Sequence, residues 1–130
     1  MNFTKTTILA LLLSTGAASA DPVEGLWQTQ PGDSGGFLHV DLSSCGDTIC
    51  GVIRKAIDGK GQEVAGYEHL GKQMIWNMEA QGDGAYAGGK IWAPDRGKTY
   101  NSKMQLSGNQ LNVKGCVFGV CRGQDWSRVQ

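Results

Sequence analysis

The sequence predicts an all-β domain, a single small up-and-down antiparallel barrel of about eight strands. Three observations carry that prediction. Twenty glycines punctuate the chain at short intervals, and frequent Gly-rich turns between short runs are an all-β signature. Several runs alternate apolar and polar residues with a period of two, as half-buried strands do. All but one of the connections are short enough for hairpins, and a meander of many short strands most economically closes on itself, which removes both unpaired edges. A two-sheet sandwich is the alternative arrangement.

The strands fall at 24–30, 36–42, 48–57, 72–79, 85–93, 98–106, 110–117 and 122–129. In the second, Leu38, Val40 and Leu42 share one face, with Phe37, His39 and Asp41 on the other. Met74, Trp76 and Met78 share a face of the fourth, Tyr100, Met104 and Leu106 a face of the sixth, and Leu111, Val113 and Val117 a face of the seventh. Pro31-Gly32-Asp33, Gly82-Asp83-Gly84, Pro94-Asp95-Arg96-Gly97 and Ser107-Gly108-Asn109 carry turn chemistry. Only residues 58–71 make a long connection, opening with Asp58-Gly59-Lys60-Gly61.

Residues 1–20 read as a cleaved export signal. Lys5 supplies the positive end, 8–13 an apolar run, and Ala18-Ser19-Ala20 a small-residue cleavage site. The apolar run is too short to span a bilayer, which takes roughly 20 residues. No cysteine follows Ala20 directly, so no lipid anchor is expected, and nothing after Asp21 is apolar enough to cross a membrane. Residues 21–130 then form one domain, in a periplasmic or secreted protein. Twelve basic residues balance twelve acidic ones. Without a basic stripe to neutralise phosphates, nucleic acid is excluded as an expected partner.

Four cysteines occur in two identical spacings, Cys45 with Cys50 and Cys116 with Cys121. Each pair flanks a hairpin turn, where Cα atoms approach to about 5.5 Å, within disulfide range. Local pairing is therefore the preferred one of three connectivities, and each bridge contributes about 2 kcal/mol in the chain-entropy account. A four-thiolate zinc site is disfavoured by the wide spacing and by an oxidising compartment. A redox Cys-x-x-Cys is not present.

Gly25-Leu26-Trp27 on the first strand and Arg128 on the last resemble the lipocalin-like (calycin) arrangement. There a first-strand Trp closes one barrel end beneath a basic side chain of the last strand, since a guanidinium stacks well on an indole face. Gly25, Trp27 and Arg128 are the closure residues that this resemblance implies. A second likeness covers nearly all of residues 21–130. Gly88-Gly89-Lys90-Ile91-Trp92-Ala93-Pro94-Asp95-Arg96-Gly97-Lys98-Thr99-Tyr100, with Cys50-Gly51-Val52-Ile53 upstream and Gly123-Gln124-Asp125-Trp126-Ser127-Arg128 downstream, resembles the bacterial family called domain of unknown function 2147. That resemblance implies an exported lipocalin-like barrel and brings no activity with it. The family's Asp-x-x-Asn-Pro segment is replaced here by Asp58-Gly59-Lys60-Gly61-Gln62-Glu63.

No catalytic, metal or cofactor site is expected. His39 falls on the outer face of its strand, and His69 sits beside Glu68 with no nucleophile elbow in the chain. Gly97-Lys98-Thr99 opens a strand rather than a helix, so it is no phosphate loop. Asp95, Lys98 and Tyr100 could form a site, but Asp in a Pro-x-x-Gly turn is expected on structural grounds. The interior is the remaining candidate. Met74, Trp76, Met78, Tyr100 and Met104 suit a small, mainly apolar or amphiphilic ligand, with Arg54 and Tyr86 anchoring its polar end. Gly51, Ala87, Gly89, Ser102 and Gly115 could leave it space. The competing readings are a filled barrel that acts as an envelope interaction module for a protein or cell-wall polymer and, further off, a small hydrolase.

Overall fold

Eight antiparallel strands close in sequence order into one barrel. The structure, a computed structural model, describes residues 20–130; the export signal expected over residues 1–20 lies outside the described residues apart from Ala20. The strands are β1 (Gly25–Gln28), β2 (Phe37–Cys45), β3 (Thr48–Ile57), β4 (Gln73–Gly82), β5 (Ala85–Ala93), β6 (Lys98–Ser107), β7 (Gln110–Val117) and β8 (Val120–Arg128). Among the described residues no helix is long and apolar enough to cross a membrane. Each strand turns back on the one before it, so the connections alternate between two ends. The chain termini and the β2–β3, β4–β5 and β6–β7 turns share one end; the β1–β2, β3–β4, β5–β6 and β7–β8 connections share the other.

The end bearing the termini is sealed. Trp27 and Trp126 are fully buried there among Val23, Val40, Leu42, Ile53, Ile75, Met78 and Leu111. The Arg128 guanidinium lies 4.4 Å over the Trp27 ring, and its nitrogens donate to the carbonyls of Glu24 (3.0 Å) and Pro22 (2.7 Å). Trp27 Nε1 donates to the Val23 carbonyl at 2.8 Å. Residues 21–24 thus form a strap across the base, tied at both faces. Gly25 enters the barrel at φ 137°, and a Cβ there would stand 2.4 Å from the Gln130 carbonyl oxygen. Only glycine lets the first and last strands meet this closely.

Both disulfides form locally, Cys45 with Cys50 and Cys116 with Cys121. Cys116 and Cys121 are direct partners across β7 and β8. The first bridge is diagonal instead: Cys45 opposes Thr48 and Cys50 opposes Ser43, because the turn is only Gly46-Asp47. The two bridges brace opposite ends of the barrel.

The fourth strand departs from simple alternation. Ile75, not Trp76, belongs to the core, and Met74 beside it is also buried. The β3–β4 register shifts on both sides of Gly51, and Asn77 takes a left-handed φ of 56°. Such bulges reset which side chains face inward. Trp76 pairs with the exposed Lys90 and so faces outward. The β3–β4 ladder ends at Val52↔Gln73. Above it, β3 bonds to the long connection, through Ile53–Lys72, Gly71–Ile53 and Val64–Ala56.

Two stability predictions follow from the sealed end. Trp27→Ala should cost about 3–5 kcal/mol, the range for deleting a fully buried indole; an unchanged denaturant midpoint would contradict the seal. Tyr86, buried beside the strap, donates its hydroxyl to the Asp21 carboxylate. Burial first, then that hydrogen bond, pushes its phenol well above the ordinary value of 10.0. The fold therefore holds the neutral form, and its contribution is full below the unfolded value and lost as pH rises above it. Tyr86→Phe should cost about 1.5 kcal/mol near neutral pH and flatten the decline in stability above pH 10, both read from urea midpoints across a pH series.

Candidate functional site

The opposite end of the barrel is open. A cavity of about 1220 Å³ enters between the β1–β2, β3–β4, β5–β6 and β7–β8 connections, larger than most sites that hold a small molecule. Its wall is apolar: Leu38 from β2, Met74 from β4, Ile91 from β5 and Val113 from β7 line it. These side chains stand on the roof of the buried core, with Met74 and Val113 themselves buried and Leu38 and Ile91 packed against the cluster. Gly115 widens the upper half, since a Cβ there would only touch Ile91 and Tyr100 at 3.5 Å.

The rim is polar and aromatic. Tyr100 stands on β6, opposite Ile91 in the ladder and therefore on the inner face. Arg96, exposed on the β5–β6 turn, stands on the rim with Asp95 and Tyr100. Across the opening, the long connection delivers Tyr67 and His69 to the cavity. Its fold is built on Asp58, whose carboxylate accepts from the amides of Lys60 and Gln62, both at 2.9 Å. Asp does this in turns because its short side chain reaches amides two and four residues on. His69 then packs edge-on to Tyr67 (5.3 Å) and to Trp92 (4.8 Å). Its Nε2 lies 3.2 Å from Glu68, and Lys72 covers the Trp92 ring at 3.4 Å. Burial first, and then the Glu68 and Asp95 carboxylates, raise the Tyr67 phenol above its ordinary value. Tyr67 therefore presents a neutral hydroxyl to the opening, able to donate or accept.

The residues singled out in the sequence divide into three groups. Met74 and Tyr100 line the open cavity. Met78, Tyr86 and Met104 point inward but are buried in the sealed half, so a ligand in the mouth does not reach the Tyr86 hydroxyl, which the strap occupies. Arg54 and Trp76 are outside. Arg54 sits at a register shift of β3 and pairs with Asp41 on the outer surface at 3.5 Å, its side chain 57% exposed. Neither can anchor a ligand within the barrel. The space that small residues were expected to leave is partly taken: a Cβ on Gly51 would meet Leu42 at 2.7 Å, and one on Gly89 would meet Met78 at 2.8 Å. These glycines admit core side chains rather than a ligand.

His39 lies on the outer face opposite Lys55, stacked on Phe37 at 6.0 Å. Among the described residues no group of three His, Cys, Asp or Glu side chains converges as metal ligands would. The site offers an apolar wall, a few hydroxyls, the guanidinium groups of Arg96 and Arg122, and a rim that also carries the carboxylates of Asp33, Asp58, Glu68 and Asp95. Tyr67, His69, Arg96, Leu38 and Ile91 were not singled out from sequence as lining residues. Hairpin counting carries the missing signal, because alternate connections share an end and so bring 58–71 and 94–97 to the same opening.

No curated protein matches this chain. Among solved structures it is similar to a Helicobacter pylori protein described as "Protein HP1028 from the human pathogen Helicobacter pylori belongs to the lipocalin family", at 18% sequence identity, with 82% of each chain covered and a TM-score of 0.66. At that identity the likeness establishes the fold alone, a lipocalin-type barrel. The family described as "Uncharacterized protein conserved in bacteria (DUF2147)" matches residues 25–128, which span all eight strands, and this chain belongs to it.

Proposed function

We propose that the protein is an exported barrel that holds one small, mainly apolar molecule in the mouth cavity and performs no chemistry on it. The observation that carries this reading is the asymmetry of the interior: one end filled by two tryptophans and a strap, the other a cavity of about 1220 Å³ with an apolar wall and polar rim. An eight-stranded barrel can fill itself or keep room for one ligand; this one does each at a different end. The ligand's apolar body would lie against Leu38, Met74, Ile91 and Val113. A polar group at its other end would meet the hydroxyls of Tyr67 and Tyr100 and the guanidinium of Arg96.

Export is supported by three features that agree. Residues 1–20 have the composition of a signal, and four cysteines are paired in two bridges, as in oxidising compartments. The third is the strap itself. The backbone nitrogen of Asp21 donates to Glu24 Oε2 at 2.7 Å, while Glu24 Oε1 accepts from the Ser44 amide at 2.8 Å. Cleavage after Ala20 would turn that nitrogen into an ammonium already seated on a carboxylate, a charge-assisted bond of the stronger kind. Processing would then tighten the seal.

The experiment is a titration of residues 21–130 with N-phenyl-1-naphthylamine, an apolar fluorescent probe, beside the variant Gly115→Leu. The wild type should saturate at one probe per chain. Gly115→Leu projects into the cavity from a position with room for a Cβ, and should weaken binding about tenfold or more while the unfolding midpoint holds. Equal binding by both proteins would remove the mouth as the site. Intact mass of the protein recovered from an exporting bacterium should correspond to residues 21–130 plus two disulfides; retention of residues 1–20 would overturn the export reading.

A further inference from the structure

We propose that the mouth end docks on an anionic membrane surface, led by the β7–β8 hairpin. Six large apolar side chains are exposed among the described residues: Val64, Val117 and Val120 line the mouth, Phe118 stands at the hairpin tip between the last two, Leu70 lies on the β3–β4 connection, and Val129 lies at the sealed end. Three occupy one hairpin tip. Phe118 is 101% exposed and Val120 68% exposed, so the phenyl ring touches nothing in its own chain. Water-exposed aromatic surface of this kind is apolar area held ready for another phase.

The backbone makes the choice of phenylalanine more telling. Phe118 and Gly119 form a two-residue turn at φ 50° and 77°, the geometry that favours Asn-Gly. A bulky residue in the left-handed region is disfavoured, so turn formation does not account for the ring. The Cys116–Cys121 bridge closes the hairpin directly beneath the tip. The other disulfide-braced hairpin, at the sealed end, has the polar tip Gly46-Asp47. The same brace thus carries an apolar tip only where the cavity opens.

Charge complementarity selects the partner. The β6–β7 ladder reaches Asn101↔Cys116, so the β5–β6 turn rises beside the tip. Arg96 on that turn, Lys98 at the start of β6 and Arg122 at the base of the hairpin are all exposed, against the single carboxylate of Asp95 on the same turn. The acidic rim residues Asp33, Asp58 and Glu68 sit on the β1–β2 and β3–β4 connections, the other half of the opening. A ring that enters the headgroup–acyl boundary with guanidinium and ammonium groups around it matches a phosphate-bearing lipid surface. Val117, Val120, Arg96 and Arg122 also line the cavity, so a bilayer met by this half of the rim would face its entrance.

The test is co-sedimentation of residues 21–130 with vesicles of equal parts phosphatidylglycerol and phosphatidylethanolamine, and with vesicles of phosphatidylcholine alone. Binding should favour the anionic vesicles and weaken in about 0.5 M salt, where charges are screened within a few ångströms. Phe118→Asn keeps a residue that tolerates the left-handed turn, so its unfolding midpoint should hold while vesicle binding falls about tenfold. The triple variant Arg96→Gln, Lys98→Gln, Arg122→Gln should abolish the preference for anionic vesicles. No binding to either vesicle, or equal binding by wild type and Phe118→Asn, would overturn the proposal. So would a concentration-dependent dimer in sedimentation velocity that Phe118→Asn dissolves, which would assign the tip to a second copy of the chain.

Discussion

Closure of the barrel rests on the stack of Arg128 over Trp27. The seam between first and last strands is the shortest in the structure, with only Trp27↔Arg128 and Gln28↔Ser127 in register. A seam of two pairs is a weak edge, and edges left open invite other strands. The indole fills the taper, and the guanidinium covers it and fastens the strap through two carbonyls. Arginine suits this role because its planar fork stacks and donates at once, which a lysine ammonium cannot do. The backbone bonds from Leu26 to Gln130 and from Val129 to Leu26 extend the seam, and the absence of a side chain at Gly25 lets the C-terminal carbonyl approach.

The rest of the molecule follows from having one end fixed so firmly. Both fully buried tryptophans, the inward methionines Met78 and Met104 and the Tyr86–Asp21 contact all lie in the sealed half. The domain is small, and its core is concentrated there rather than spread along the axis. The other half can then stay hollow. Its walls are held by a disulfide at the β7–β8 hairpin and by a long connection that substitutes for the missing upper β3–β4 ladder. Two staples at opposite ends brace opposite kinds of turn, a polar one below and an apolar one above.

The eight strands, their order and both disulfide pairs were legible in the sequence because each depends on local chemistry: period-two runs, Gly-containing turns and cysteines flanking them. Trp76 was misread because the register shifts around Gly51 and the left-handed Asn77 are tertiary features that reverse a strand's facing without marking its composition. Gly51 and Gly89 looked like space for a ligand; whether a glycine's empty volume is vacant or taken by Leu42 or Met78 depends on side chains from other strands. Arg54 looked like an interior anchor until its partner Asp41 fixed it outside. Tyr67 and His69 reach the rim through a connection whose path is set by Asp58 and by bonds to β3, and no periodic pattern announces such a path.

The methionines offer the most direct test of a barrel sealed at one end and open at the other. Residues 21–130 contain three, Met74 in the cavity wall and Met78 and Met104 in the sealed core. With carbon-13 in their methyl groups, each gives one resonance during titration with an apolar ligand. The account predicts that Met74 shifts to saturation while Met78 and Met104 stay nearly fixed. Movement of Met78 and Met104 as large as that of Met74, or no movement of Met74 at saturating ligand, would contradict it.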